Sequence, residues 1–353
     1  RREQLQAFDD TKSGVKGLVD AGITTLPEIF IRPPDATTRD ISVSTAATLP
    51  VIDLTGVEND PSIRARVVDE IRSASEAWGF FQVVNHGVPA SILTEMVDGV
   101  RKFNEQEIEI KKKYYSRDFS KGFRFNTNFD FFTAPFSTWR DSFYYTVSPN
   151  PPPPEELPAI CRDVLREYSE EVMKLGKFLL ELLSESLGLK PHRISETECA
   201  HSLFLVGHYY PPCPQPNLTL GVAKHSDNNF ITVLLQDSSG GLQIIHDDQW
   251  VDVPPVPGAF IVNIGDLMQL ITNDKLRSIE HRVLASEKGP RVSIASFFGR
   301  SCGPSFKLLA PIEELLSEAN PAKYRATTAD EYTAYFVAKG LDGTTSALNH
   351  FRI

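Results

Sequence analysis

Cysteine is scarce in this sequence. Four residues in 353, Cys161, Cys199, Cys213 and Cys302, are widely scattered and show no paired spacing. That excludes a disulfide framework and a cysteine-built zinc site, and predicts free thiols in a reducing compartment. Long apolar runs are also missing: none approaches the ~20 residues that a membrane span requires. Positive charge is in deficit, with 36 Lys and Arg against 46 Asp and Glu and a net charge of −10. With no basic face evident, a nucleic-acid partner is not expected. The first residues, Arg1-Arg2-Glu3-Gln4, include neither an initiating methionine nor an apolar leader, so we expect the numbered chain to start within a longer product. The expectation is a cytoplasmic monomer acting on a small molecule. No internal repeat is present, and 41% hydrophobic with 23% charged residues is ordinary for a globular protein.

Along the chain, residues 1 to about 50 predict a helical start and then a loop, with Thr37 to Leu49 rich in Ser, Thr and Ala. A short strand at 50–54 precedes a helix whose Ile63, Val67, Ile71, Ala74 and Trp78 share one face and which Gly79 ends. A strand over 80–84 follows, and then a helix opened by Pro89. Residues 119–147 are dense in aromatics and read either as a pair of strands packed on the core or as an apolar wall for a ligand. The strongest helix carries Tyr168, Val172, Leu175, Leu179, Leu182, Leu183 and Leu187 on one stripe and stops at Gly188. Strand-forming runs broken by turns fill 202–299, Cys302 to Pro311 reads as a loop, and Asp330 to Lys339 as a terminal helix.

The chemistry concentrates between His225 and Ser293. On a strand, His225 and Asp227 point to the same side while Ser226 faces away. A sheet folding back on itself can return His281 to that pair. Two imidazoles and one carboxylate on one face suit non-haem Fe(II) with open coordination positions, and the same set can hold zinc with a water. Beyond a turn at Ser286 to Pro290 the chain returns as Arg291-Val292-Ser293, whose alternation puts a guanidinium and a hydroxyl on one face to clamp a carboxylate. A dicarboxylate that chelates iron at one end and reaches Arg291 at the other is 2-oxoglutarate.

With these residues together, the sequence resembles the plant branch of the Fe(II)/2-oxoglutarate-dependent dioxygenases over nearly its whole length. Trp78-Gly79-Phe80-Phe81-Gln82-Val83-Val84-Asn85-His86-Gly87 resembles the amino-terminal signature of that family, and His208-Tyr209-Tyr210-Pro211-Pro212-Cys213-Pro214 the segment before its metal site. Phe8-Asp9-Asp10-Thr11-Lys12, Gly14 to Asp20, Asn128-Phe129-Asp130-Phe131 and Trp139-Arg140-Asp141 are similar to a subgroup. That subgroup holds the 1-aminocyclopropane-1-carboxylate oxidase homologues, deacetoxyvindoline 4-hydroxylase and the benzoxazinoid hydroxylases. His208 stands where many family members carry asparagine.

The resemblance implies a mainly β fold, a double-stranded β-helix (jelly-roll) core with amino-terminal helices and a carboxy-terminal helix. It divides as 1–200, a core over 201–300 and 301–353, integrated into one catalytic domain. It implies iron held by His225, Asp227 and His281, and 2-oxoglutarate held by Arg291, Ser293 and Tyr210 with His208 beside it. Dioxygen is the other co-substrate and ascorbate a possible reductant. Phe297 matches a position that stacks on substrate rings in related flavonoid oxidases, and Phe129, Phe131 and Lys224 are further pocket candidates. The implied activity is hydroxylation, or the related demethylation or desaturation, of a ring-bearing plant specialised metabolite, with release of succinate and carbon dioxide. The alternatives are an ascorbate-dependent ethylene-forming type of oxidase and a catalytically silent metabolite-binding protein.

Overall fold

Two short helices, α1 (Arg2–Thr11) and α2 (Gly14–Asp20), open the chain. The computed structural model describes all residues except 34–42, 45–47, 198, 200, 300–306 and 341–345, and for 43–44 it describes the backbone alone. Most of the loop expected at Thr37 to Leu49, and Cys302 with its expected free thiol, therefore lie outside the described residues. Strands β1 (Val43–Ser44) and β2 (Val51–Asp53) lead to helix α3 (Pro61–Ala77). Asp60 caps this helix by accepting from the amides of Ser62 and Ile63, with Pro61 in the first turn where no amide is needed. Gly79, at φ 62°, turns the chain out of it.

Strand β3 (Phe80–Val84), helices α4 (Ala90–Glu105) and α5 (Ile108–Lys111), strands β4 (Phe123–Asn126) and β5 (Asp141–Ser148), and helix α6 (Arg162–Ser186) complete the amino-terminal part. The core then runs β6 (Leu203–Tyr210), β7 (Leu220–His225), β8 (Ile231–Gln236), β9 (Leu242–His246), β10 (Gln249–Asp252), β11 (Phe260–Ile264), helix α7 (Asp266–Ile271), β12 (His281–Leu284) and β13 (Arg291–Phe298). Two-residue strands β14 (Leu308–Leu309) and β15 (Thr327–Thr328) pair with each other before helix α8 (Ala329–Lys339). The segment expected to be a loop thus contributes a strand at Leu308–Leu309.

Two sheets face each other. The larger has the order β2-β3-β11-β8-β13-β6-β5-β4, the smaller β1-β10-β9-β12-β7. From β6 to β13 the chain switches sheets at every connection except the β9–β10 hairpin and ends with β13 between β8 and β6. That is the jelly-roll winding. Alternation along β13 shows how it divides the interior. Val292, Ile294 and Phe298 join the core packed with α3, α4 and α6, while Arg291, Ser293, Ala295 and Phe297 face the space between the sheets. The stripe read on α6 is buried against the larger sheet from Tyr168 to Leu183, and Leu187, just past the helix, is partly buried. Burying each of its leucines contributes roughly 1.5–3 kcal/mol, so the sheet carrying the polar site rests on a rigid support.

Candidate active site

The smaller sheet brings the metal-binding residues together. His225 ends β7, His281 begins β12, and the two are register partners across the antiparallel pair. Their ring centroids are 4.2 Å apart. Asp227, just past the strand, turns back so that Oδ1 lies 3.5 Å from His225 Nε2 and 3.7 Å from His281 Nε2. Among the described residues these three form the cluster suited to hold an ion.

Their outer hydrogen bonds fix which atoms face inward. His225 Nδ1 sits 2.8 Å from the Ala223 carbonyl and His281 Nδ1 3.1 Å from that of Ile279. A carbonyl only accepts, so each Nδ1 carries the proton and each Nε2 keeps its lone pair for a metal. Asp227 Oδ2 accepts from the Thr232 hydroxyl at 2.6 Å and from Asn263 Nδ2 at 2.8 Å, which leaves Oδ1 for the centre. Burial opposes the charge on Asp227, but the two imidazoles and the Thr232 hydroxyl outweigh it and hold the carboxyl below its usual range. Burial, with His225 nearby, lowers His281 to about 4, so this imidazole is neutral and ready to ligate at neutral pH. The donor set fits a divalent iron or zinc ion: two neutral nitrogens and one carboxylate oxygen, each oriented from behind.

Ser226 donates to buried Asp266 Oδ2 at 3.1 Å. The Tyr332 hydroxyl of α8 donates to the same oxygen at 2.6 Å. Burial raises the Asp266 carboxyl to about 6. This network ties the terminal helix to the loop that carries Asp227.

Across the cavity, Arg291 lies opposite Tyr210 in the β13–β6 register and Ser293 opposite His208. The Arg291 guanidinium stacks 4.8 Å above the Tyr210 ring. It donates to the Gly240 carbonyl at 2.7 Å, Gln236 Oε1 at 3.0 Å and Ser293 Oγ at 3.0 Å. These bonds hold the fork in one orientation, and Ser293 keeps its own proton to give to an acceptor. His208 Nδ1 is 2.8 Å from Ser142 Oγ. Burial and the guanidiniums of Arg140 and Arg291 keep this histidine neutral, well below its ordinary value.

The cleft holding both groups measures about 880 Å³ counted out to its mouth. Phe129, Tyr144, Val206, Leu234, Ala295, Phe297 and Phe336 give it apolar walls. Two pocket expectations need correcting. Phe131 is fully buried among Phe8, Phe30 and Trp139, away from the cavity. Lys224 points to the other side of β7 from His225 and pairs with Glu280 at 3.1 Å. Sequence reasoning also missed residues. Thr232 and Asn263 were detectable only as polar residues inside apolar strand runs, and Phe336 reaches the cavity from α8. Of the remaining histidines, His86 bonds the Gly258 carbonyl, His246 stacks on Trp78 and His350 on Tyr335.

Comparison with known proteins gives this geometry its context. Residues 201–300 match the 2OG-Fe(II) oxygenase superfamily, and residues 49–163 match the amino-terminal region described as non-haem dioxygenase in morphine synthesis. The chain is 54% identical over 349 residues to 1-aminocyclopropane-1-carboxylate oxidase homolog 1 of Arabidopsis thaliana, covering 99% of this chain and 96% of that one. The chain belongs to the 2OG-Fe(II) oxygenase superfamily. Deacetoxyvindoline 4-hydroxylase of Catharanthus roseus is 50% identical to it over 358 residues, covering 99% of this chain and 89% of its own. The crystal structure of JOX2 in complex with 2OG, Fe and JA superposes with a TM-score of 0.82 at 32% identity, covering 96% of this chain and 97% of the other. The oxygenase is therefore an oxidoreductase whose cofactor is iron and whose co-substrate is 2-oxoglutarate. None of its described helices is long and apolar enough to cross a membrane; Cys161 and Cys213 are buried free thiols, and Cys199 is buried.

Proposed function

We propose that this oxygenase hydroxylates, or by the same chemistry demethylates or desaturates, a ring-bearing apolar plant metabolite. The observation that carries this reading is the division of one cavity into a polar and an aromatic end. Phe297 lies in register with Thr232, the residue that holds Asp227, so the metal-binding group is beside the aromatic end. Arg291 is six positions away on the same strand face, roughly 20 Å along the backbone, and reaches back with its long side chain.

Each residue then has a task. His225, Asp227 and His281 would hold iron, which with 2-oxoglutarate and dioxygen supplies the oxidising power and yields succinate and carbon dioxide. Arg291, Ser293 and the Tyr210 hydroxyl bind the far carboxylate of 2-oxoglutarate, and neutral His208 flanks it without adding charge. Phe129, Phe297 and Phe336 exclude water from the reacting end and orient a flat substrate, which selects the C–H bond that reacts.

The ascorbate-dependent, ethylene-forming alternative is disfavoured by the lining. An amino-acid substrate brings an ammonium group, and the cavity's carboxylate, Asp227, is engaged by Thr232 and Asn263 and committed to the metal set. A silent carrier would have no use for that donor set. The deciding measurement is anaerobic addition of 2-oxoglutarate to the Fe(II)-loaded protein, recording the visible charge-transfer band of a chelated keto acid. The band is expected in the parent and lost in Arg291→Ala at modest co-substrate levels, after which succinate release ranks plant metabolites. An iron-loaded parent without the band would sink the reading in favour of the ascorbate type.

A further inference from the structure

The amino-terminal arm takes no part in the chemistry above, yet its charged motif is wired to the cavity wall. Asp9, on α1, accepts from Arg117 Nε at 2.8 Å and pairs with its Nη2 at 2.7 Å, and the Tyr115 hydroxyl donates to the same oxygen. The guanidinium then reaches on to the carbonyls of Thr127 at 2.9 Å and Asn128 at 2.8 Å, the two residues before Phe129. Arg117 also covers the Phe131 ring at 4.8 Å. A second tie runs through Asp141, which accepts from the amides of Val15 and Lys16 at 2.8 Å each and from the Thr127 hydroxyl at 2.6 Å. Gly14 permits this contact. Its φ is +71°, and a Cβ there would lie 2.5 Å from the Asp141 carboxylate.

Between these ties the chain makes a forced turn. Asn128 adopts φ 48°, held by its side chain, which accepts from the Thr138 amide at 2.7 Å and donates to the Thr138 carbonyl at 2.9 Å. Past that turn Phe129 enters the cavity, whereas Phe131 packs back on Phe8 at a centroid distance of 5.4 Å. The same few residues therefore supply a cavity wall on one side and a docking face for the arm on the other.

We propose that the arm formed by α1 and α2 is a brace that sets the position of Phe129, with Asp9 and Arg117 as positioning residues that determine the shape of the substrate cavity. This rests on the reading of Phe129 as a substrate wall. The test uses full-length protein loaded anaerobically with Fe(II) and 2-oxoglutarate, comparing the parent with Asp9→Asn and Arg117→Met. Phe129 is replaced by 4-fluorophenylalanine for fluorine NMR, and a second sample carries the same label at Phe297 as a reference on β13. In Asp9→Asn the charge-transfer band persists and the signal at 129 shifts or splits while that at 297 stays put. Amide exchange over 127–129 accelerates by about tenfold, the change expected on losing one charge-assisted hydrogen bond. Asp9→Glu, which keeps the charge, restores the parent signal. An unchanged signal and unchanged exchange at 127–129 in Asp9→Asn would overturn the brace, as would equal shifts at 129 and 297. If Arg117→Met does not fold, Asp9→Asn still decides. Absence of the band in the parent would count against the functional reading alone, because the NMR and exchange comparison can be made without metal.

Discussion

Thr232 donates a 2.6 Å hydrogen bond to the outer oxygen of Asp227, and both residues are buried. That bond, with the one from Asn263, decides which carboxylate oxygen faces the metal. Thr232→Val keeps the shape and removes the donor. Metal affinity should fall by about 10–100-fold, as for other outer partners of metal ligands. Competition with a chelator for Fe(II) or Co(II) measures it, and unchanged affinity would show that Asp227 needs no such support.

The elements were legible in the sequence because they depend on local spacing, and the ligands because His225 and Asp227 are near neighbours and a sheet that folds back returns His281 to them. The stripe on α6 and the strand pattern from β6 to β13 follow from helical and strand periodicity, whereas Asp227 lies just past the end of β7 and meets His225 through a turn of the chain. Phe129 and Phe131 also look equivalent by alternation, but a left-handed Asn128 precedes the pair and the turn sends them to opposite sides. Thr232, Asn263 and Phe336 were not legible for a different reason. Their roles exist only once β8, β11 and α8 have been brought against the site, and a polar residue in an apolar strand run, the one local sign at Thr232 and Asn263, does not say what it will meet. Lys224 illustrates the reverse: it was a pocket candidate, although the strand period of two places it on the opposite face of β7 from His225.

Acid should weaken the metal-free fold through His281. Its folded value of about 4 lies below the ordinary 6.5. Between those values the unfolded chain binds a proton that the folded chain does not, so stability is greatest above the unfolded value and is lost as pH falls toward the folded one. The loss across the window is about 3 kcal/mol. Urea unfolding of chelator-treated protein at both ends of the window should show it, and His281→Gln should reduce the difference. A variant with the same pH slope as the parent would remove His281 as its source.

Phe297 is partly buried and faces the cavity from β13, with its neighbour Phe298 on the helix side. Phe297→Ala should weaken substrate-stimulated succinate release while leaving the Fe(II)·2-oxoglutarate band in place. A single ring contact of this kind is worth about 0.5–1.5 kcal/mol beyond its buried area, so a rise of at least several-fold in apparent KM is expected. Equal loss of the band and of turnover would indicate a folding defect.

Tyr332 joins α8 to the metal loop through Asp266. Tyr332→Phe keeps the ring packing against Phe351, at 4.8 Å between centroids, and deletes the hydroxyl. Leaving the buried carboxyl short of a donor should cost about 1–3 kcal/mol. Hydrogen exchange should rise across α8, taking Phe336 with it, before any change in β6 or β13. Uniform acceleration throughout the chain would instead mean global destabilisation with no special link between α8 and the site.

Gly176 lies where α6 packs against Phe298 of the larger sheet. A Cβ at this position would lie 2.0 Å from the Phe298 ring, closer than any real contact. Alanine normally favours a helix over glycine by about 1 kcal/mol, so propensity and packing make opposite predictions for Gly176→Ala. Phe298 is fully buried, and its ring cannot yield without displacing other core side chains. Overpacking of this kind costs typically about 1–3 kcal/mol and here should exceed the helix gain. Because Phe298 follows Phe297 on β13, the strain should also reach the cavity wall. A lower urea midpoint together with reduced substrate affinity is the expected result, and a stabilised protein would show that α6 can move outward and is less firmly seated on the sheet than its buried stripe implies.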